Sequence, residues 1–287
     1  MECEFEEKQY EFPLNKELVE GHNIFVPGPV FESILGMDAA LFTRNLRFWM
    51  LWFSWRYFLP PWRRGVHLTR ELWDGLKEDL DSDSFPRFKF NLFIQHKRPE
   101  HVSSPNGREY GHWGQAYFRY DIKDEQQRIL YELQGRVSSN ALVVYACASF
   151  WRYVELWQFV EQGRLVENSN FVQPRDVQGH HRYTFIERGN FGIACSEPSK
   201  VENLDIREVM SKMREAKTEF KSNSQFIFSL SQQFLEVVKS LPEDFQKTYK
   251  SLTTFIEVPE HELARSMATI SVFTYLTNLT WGIGYEK

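Results

Sequence analysis

The stretch Phe88–Pro99 constrains the fold more than any other part of the chain. From Phe88 to Ile94 every second residue is apolar, and the residues between them lead to Gln95 and Lys97. Because strand side chains alternate with period two, the apolar set falls on one face and Gln95 and Lys97 fall together on the other. Pro99 ends the strand, since it has no N–H for a ladder hydrogen bond. The pattern predicts a buried strand over 88–97, with Gln95 and Lys97 roughly 7 Å apart.

The polar end of this strand has two interpretations. A carboxamide oxygen beside an ammonium can hold a metal ion and a phosphate oxygen, which favours a catalytic role. The same residues also fit an ordinary strand that ends in a polar and a basic residue at the solvent edge. The spacing alone does not separate these interpretations.

Charge is distributed unevenly along the 287 residues. The net charge is −5, which argues against a generally sticky nucleic-acid binder. Residues 1–20, with seven Glu and two Lys, account for the whole excess. Residues 44–70 contain six Arg and no acid, so the sequence can still present a local basic surface.

Cysteine usage and hydropathy indicate a soluble cytoplasmic protein. The three cysteines show no CxxC spacing, which predicts a reducing compartment and no zinc site. The acidic start does not resemble a secretory leader. The most apolar run, 48–62, is interrupted by Arg56 and two prolines, so it is too short and too broken to span a bilayer.

Periodicity predicts the elements around this strand. Residues 1–29 are expected to be an acidic lead-in, and residues 161–287 a mostly helical C-terminal region. Between them we expect a short helix at 30–35, a strand at 37–42 and an aromatic, basic helix within 43–64. The remaining predicted elements are helices at 68–80, 124–137, 150–162, 205–219, 224–240, 242–256 and 260–278, and strands at 116–122, 141–148 and 182–186.

Taken in order, the elements of residues 30–148 resemble the core of the PD-(D/E)xK nuclease superfamily. Gln95-His96-Lys97 is similar to the QxK variant of Mrr-like restriction nucleases. Asp38, in Gly36-Met37-Asp38-Ala39, is similar to the motif aspartate, and Glu32 to the helix acid. The resemblance implies an α/β fold, in which a mixed central sheet flanked by helices forms a restriction-endonuclease-like core over 30–160, with a helical insertion at 43–86.

The resemblance also implies a function. It predicts a Mg²⁺- or Mn²⁺-dependent endonuclease acting on DNA, in prokaryotic restriction or anti-phage defence, although the residues do not distinguish DNA from RNA. Asp38, Gln95 and Glu32 would be metal ligands, because hard cations prefer oxygen donors, and Lys97 would orient the attacking water or offset developing charge. Gln126 or Gln127 would be an accessory residue. The expected nucleic-acid contacts are Arg44, Arg47, Arg63, Arg64 and Arg98.

Several alternatives stay open at this stage. The chain could be a non-catalytic nucleic-acid- or protein-binding module on the same fold, or an unrelated interaction protein with a chance QxK. A homodimer or a defence-system partner protein is possible in each case, and no membrane is expected. Asp79, Asp81 and Asp83 are closer to Gln95 in sequence than Asp38 is, and could supply the motif acid. The pair His180-His181 is a weaker candidate metal site.

The basic segment generates a prediction about DNA binding. If its arginines line a groove, the charge reversals Arg63→Glu and Arg64→Glu should weaken DNA binding. They should also flatten the plot of log affinity against log salt by about one for each lost phosphate contact. Titrations at several salt concentrations measure the slope, and an unchanged slope would assign these arginines to structural roles.

Overall fold

The computed structural model describes residues 2–22, 24–25, 70–137, 140–187, 191–217, 219–255 and 260–286. They form a mixed α/β structure of two five-stranded sheets flanked by helices. The described helices are α1 (Glu7–His22), α2 (Arg70–Asp81), α3 (Tyr110–Trp113), α4 (Asp124–Val137), α5 (Tyr153–Gln162), α6 (Ile206–Glu215), α7 (Asn223–Ser240), α8 (Glu243–Phe255) and α9 (Glu262–Thr277). None of these helices is both long enough and apolar enough to cross a bilayer.

The strands divide between the two sheets. They are β1 (Ile24–Phe25), β2 (Phe88–Lys97), β3 (Glu100–Val102), β4 (Tyr117–Asp121), β5 (Ala141–Ala148), β6 (Ser169–Val172), β7 (Arg182–Phe185), β8 (Phe191–Cys195), β9 (Ser199–Glu202) and β10 (Thr280–Tyr285). The central sheet has the order β1-β10-β2-β5-β6, and the second sheet the order β3-β4-β7-β8-β9. The predicted bounds of α4 and β5 are confirmed, and β2 is central as predicted.

Strand β2 has a neighbouring strand on each edge. It runs parallel to β5, with Lys97 opposite Cys147, and antiparallel to β10, with Ile94 opposite Thr280. The predicted strand over 37–42 lies outside the described residues. The antiparallel neighbour of β2 comes from the C-terminal part of the chain, so residues 30–148 do not form this sheet by themselves.

The two faces of β2 contact different hydrophobic layers. Phe90, Leu92 and Ile94 pack in one cluster with residues of α1, α5 and α6. Phe93 packs in the other cluster with residues of α4, α7, α9 and the second sheet. The predicted alternation is therefore correct from residue 90 onward.

Phe88 departs from the predicted alternation. It lies in the same cluster as Phe93, and its ring is 5.8 Å from that of Phe226. The pairing with β10 shifts by one residue here, because Gly284 faces Phe90 and the next residue, Tyr285, faces Phe88. An irregularity of this kind reverses the side to which the following side chains point.

The acidic N-terminal stretch is helical. Helix α1 buries Tyr10, Leu14 and Leu18, which are spaced four residues apart and so lie on one stripe. Its glutamates and the internal Pro13 hide this stripe from a reading based on composition. The prediction of a lead-in therefore missed a helix that covers one face of the central sheet.

A buried asparagine fixes the start of β2. The side chain of Asn223, the first residue of α7, donates to the carbonyls of Leu80 at 2.8 Å and Pro86 at 3.0 Å. Its Oδ1 accepts the backbone N–H of Phe88 at 2.9 Å. The end of α2, the loop after it and the first residue of β2 are thereby tied to the N-terminus of α7.

The region after residue 160 contains strands as well as helices. The four predicted helices after residue 203 are present as α6 to α9. However, β6 and β10 lie in the central sheet, and β7, β8 and β9 lie in the second sheet. Residues after 160 therefore contribute strands to both sheets in addition to these four helices.

His96 generates a prediction about pH and stability. It is 1% exposed, neither ring nitrogen has a hydrogen-bond partner among the described residues, and its ring is edge-on to Tyr10. Burial lowers the pKa of His96 to about 4, the nearby Glu11 raising it and Lys8 lowering it by smaller amounts. In the unfolded chain His96 binds a proton near pH 6.5, whereas in the folded chain it binds one only near pH 4. The free energy of unfolding therefore falls as the pH drops below 6.5.

We expect His96 to lower the free energy of unfolding by about 3 kcal/mol between neutral pH and pH ~4. Urea unfolding at several pH values measures the free energy of unfolding. In His96→Phe, which keeps the ring against Tyr10, the loss over this pH range should be smaller by that amount. Equal pH profiles for the two proteins would show that His96 does not titrate differently on folding.

Candidate functional site at the carboxyl end of the parallel strands

The predicted pair Gln95 and Lys97 lies where the parallel strands β2 and β5 end. Both side chains are on the face of the sheet that contacts α4, and both are buried, at 2% and 9% exposed. In open α/β sheets this carboxyl edge is where ligands commonly bind. The two residues are therefore on the same side, as predicted, but they do not lie at a solvent-exposed edge.

Lys97 is a buried ammonium with few partners. Its Nζ donates a hydrogen bond to Gln126 Oε1 at 2.6 Å and lies 5.4 Å from the centre of the Tyr145 ring. Burial lowers the pKa of Lys97, and the carboxylate of Glu7 partly offsets this effect. Gln126, rather than Gln127, is thus the residue of α4 that contacts the lysine.

Gln95 leaves a carbonyl oxygen without a partner. Its Nε2 donates to the backbone carbonyl of His96 at 3.1 Å, which fixes the orientation of the amide because the opposite orientation would place two acceptors together. The Oε1 atom then has no hydrogen-bond partner among the described residues. A buried acceptor without a partner costs about 1–3 kcal/mol, so a water, an ion or a ligand atom bound to this oxygen would stabilise the site.

Tyrosines form the wall beside this oxygen. Tyr145 lies opposite Gln95 in β5, and its hydroxyl donates to Gln127 Oε1 at 2.7 Å. Gln127 in turn donates to the carbonyl of Pro174 at 2.6 Å. The ring of Tyr120 lies 5.9 Å from that of Tyr145, and its buried hydroxyl has no partner in the described part of the chain. Gln95 Oε1 and the Tyr120 hydroxyl, two polar atoms without a partner among the described residues, therefore belong to neighbours of Tyr145.

Glu7 is the acid that the sequence analysis missed. It begins α1, it is close enough to Lys97 for each group to shift the pKa of the other, and its Oε1 accepts from Asn278 Nδ2 at 3.2 Å. Burial raises the pKa of Glu7, and the Lys97 ammonium opposes that shift. Glu7 and Lys97 are far apart in sequence, but the stripe of Tyr10, Leu14 and Leu18 could have predicted a helix beginning near Glu7.

The other sequence candidates fall into two groups. Six of them lie outside the described residues: Glu32, Asp38, Arg44, Arg47, Arg63 and Arg64. Arg98 is described, and its guanidinium donates to the carbonyl of Cys3 at 2.5 Å and lies 3.5 Å from Glu6. Its contacts are therefore with the N-terminal segment, where it helps to hold the residues before α1.

No described contact joins Lys97 to the alternative motif acids, which are Asp79, Asp81 and Asp83. Asp81 accepts from the backbone N–H and the hydroxyl of Ser224, at 2.8 and 2.6 Å. Burial raises the pKa of Asp81, but these hydrogen bonds and Lys77 outweigh it, and the pKa is lowered overall. Asp81 thus caps α7. Asp79 and Asp83 are exposed.

The histidine pair contacts serines rather than acids. His181 Nδ1 lies 2.6 Å from Ser196 Oγ, and His180 Nε2 lies 3.2 Å from Ser199 Oγ. Within the described ranges, no group of three His, Cys, Asp or Glu side chains could hold a metal ion. Gln95 Oε1 and the carboxylate of Glu7 are oxygen donors among the described residues near the carboxyl edge, and no described contact joins the two.

Lys97 generates a prediction that separates stability from function. Replacing a buried, desolvated charge by an apolar side chain of similar length is often neutral or stabilising. Lys97→Met should therefore leave the melting temperature unchanged or raise it, as thermal unfolding followed by circular dichroism would show. A fall of more than about 8 °C, which corresponds to roughly 2–4 kcal/mol in a chain of this size, would make Lys97 a structural residue.

Comparison with known proteins identifies no relatives for this chain. No family model matches it, and neither a curated protein nor a solved structure does. Any assignment of function therefore depends on the residues gathered at the carboxyl edge of the central sheet.

Proposed function

We propose that the protein is a metal-dependent endonuclease that hydrolyses phosphodiester bonds of DNA, in restriction or anti-phage defence. One observation carries the proposal: the buried Lys97 ammonium lies on the same face as Gln95, whose buried Oε1 has no described partner. Buried groups of these two kinds are costly in a fold unless something pairs with them, and such groups cluster at functional sites. The similarity of Gln95-His96-Lys97 to the QxK motif supports the same conclusion.

The described donors suit a hard cation such as Mg²⁺ or Mn²⁺. Gln95 offers a carbonyl oxygen and Glu7 a carboxylate, and oxygen donors are the ligands these ions prefer. Asp38, which the resemblance assigns as the motif acid, would add the strong anionic ligand, and Glu32 a further carboxylate. When bound, the cation supplies polarisation of the phosphate and a more acidic attacking water.

The protein groups have separate roles in this proposal. Lys97 places its positive charge where negative charge grows on the phosphate, and Gln126 Oε1 holds the ammonium in position. Glu7 favours the charged form of Lys97, since its carboxylate partly offsets the lowering of the pKa by burial. Tyr145 covers the lysine on one side and excludes water, which strengthens electrostatic interactions at the site.

A second candidate function is a non-catalytic binding module on a nuclease-like fold. It is favoured by the 2.6 Å hydrogen bond between Lys97 and Gln126, which could be a purely structural contact. In that case Lys97 would matter for the packing of α4 on the sheet and not for any reaction. The two functions differ in whether cleavage occurs and whether it depends on Lys97.

Plasmid cleavage tests the proposal. The purified chain is incubated with supercoiled DNA and Mg²⁺ or Mn²⁺, with EDTA as the metal-free control, and with single-stranded DNA and RNA in parallel. Lys97→Ala should lower the rate by about 10²–10³, the usual effect of losing one well-placed electrostatic group. The matched control is Lys89→Ala, because Lys89 is on the same strand but forms an ion pair with Glu286 at 3.2 Å.

The acids provide a second comparison. Asp38→Asn and Glu7→Gln should weaken metal binding as well as cleavage, whereas Lys97→Ala should bind metal and fail to cleave. Glu11→Gln, one turn after Glu7 in α1, is the control. Asp38→Asn and Lys97→Ala combined should cost less than the sum of their separate effects, since members of one catalytic unit fail together. Cleavage by Lys97→Ala at the wild-type rate would refute the catalytic assignment.

A further inference from the structure

The residues before α1 cross the carboxyl edge of the central sheet. We call residues 2–6 the acidic strap. Glu2 pairs with Glu100, just beyond the end of β2, and the N–H of Glu4 donates to the carbonyl of Trp151, just beyond the end of β5, at 2.9 Å. The strap therefore passes over the ends of the two parallel strands where the candidate site lies.

Exposure alternates along the strap. Cys3 and Phe5 point into the protein and are 3% and 1% exposed, whereas the glutamates at positions 2, 4 and 6 are exposed. The two buried side chains pack in the same hydrophobic cluster as Tyr10 of α1, which fixes the backbone of the strap. Its carboxylates lie on the outer side, so each can change its contact without any movement of the backbone.

Two of these carboxylates occupy electropositive positions. The Glu6 carboxylate lies 3.5 Å from the guanidinium of Arg98, the residue that follows Lys97. The Glu4 carboxylate accepts from the N–H of Tyr153 at 2.9 Å, at the N-terminus of α5, where the helix dipole favours anions. Both positions also suit a phosphate oxygen, since phosphates and carboxylates bind the same kinds of donor.

Arg98 has donor groups that its present contacts do not use. A guanidinium carries five N–H donors. Among the described residues, one nitrogen of Arg98 donates to the carbonyl of Cys3 at 2.5 Å, another has only the 3.5 Å contact with Glu6, and Nε has no partner. The side chains of Arg98 and Glu6 are 35% and 72% exposed, and ion pairs that water reaches are weak. A competing anion can therefore displace the Glu6 carboxylate from Arg98.

We propose that the acidic strap competes with the phosphates of DNA for Arg98 and for the N-terminus of α5, and so lowers the affinity of the protein for its substrate. Glu6 and Glu4 hold these two positions when no nucleic acid is bound, and phosphates replace them while Cys3 and Phe5 stay buried. The inference rests on the proposed function, because it takes a polynucleotide as the substrate. It adds two phosphate contacts beside the candidate site and a restraint on binding within the chain itself.

Binding of a labelled double-stranded oligonucleotide in EDTA tests the competition without cleavage. Glu6→Gln should tighten binding about two- to fivefold, the effect of one exposed ion pair. It should also steepen the plot of log affinity against log salt by about one, because Arg98 gains a phosphate contact. Glu4→Gln should tighten binding too, while its amide oxygen still accepts from Tyr153. The matched control is Glu2→Gln, which removes the same charge from the same strap, because the Glu2 carboxylate contacts no cation among the described residues.

A double-mutant cycle separates direct competition from a general effect of charge. Arg98→Gln should weaken DNA binding, because one phosphate contact is lost. It should also abolish the gain from Glu6→Gln, because no guanidinium remains for which the carboxylate and a phosphate could compete. Melting temperatures show whether each variant is folded.

Two results would overturn the proposal. The first is an affinity for DNA that rises no more in Glu6→Gln than in Glu2→Gln. The second is a gain from Glu6→Gln that persists in full when Arg98 is also replaced by Gln. Neither result depends on cleavage, so a failure of the nuclease activity in the plasmid assay is distinct from a failure of the competition.

Discussion

The parallel pair of β2 and β5 has no contact with bulk water along most of its length. Every residue of β5 is buried, and β2 is covered by hydrophobic layers on both faces and by strands on both edges. A polar group placed on such a strand must find its partner inside the protein, since an unpaired buried group is costly. Asn91 meets this requirement by accepting from Trp281 Nε1 at 2.9 Å. Gln95 meets it only in part, because its Nε2 donates to the carbonyl of His96 at 3.1 Å whereas its Oε1 has no partner among the described residues.

Local patterns were sufficient to locate the elements whose periodicity is regular. The alternation of 88–97, the amphipathic stripe of 124–137 and the continuous apolar run of 141–148 all predicted the right structure in the right place. Strand β10 was missed, and the last predicted element was the helix that ends at residue 278, because glycines at 282 and 284 resemble turn signals. Those glycines are required by packing: a Cβ on Gly284 would lie 2.1 Å from the ring of Phe90. A contact with a residue so distant in sequence leaves no local trace.

In the candidate site, too, contacts between residues distant in sequence could not be predicted from local patterns. Gln95 and Lys97 could be placed on one face because they are two residues apart on a strand. Glu7 could not be placed beside Lys97, since the helix that carries it is joined to the sheet only by tertiary contacts. The choice between Gln126 and Gln127 also stayed open, because adjacent residues at a helix start point in different directions and only the position of α4 on the sheet decides which one meets the lysine.

The position of β10 has a consequence for how the chain is made. Thr280 and its partner Ile94 are 186 residues apart, so β2 leaves the ribosome long before the strand that will cover its edge. Until β10 arrives, a row of free N–H and C=O groups on an aromatic, apolar strand is available to other chains. Such distant pairing also slows folding. During synthesis, a strand that is paired on both edges in the finished protein therefore spends a period with one edge unpaired, when a chaperone would protect it from other chains.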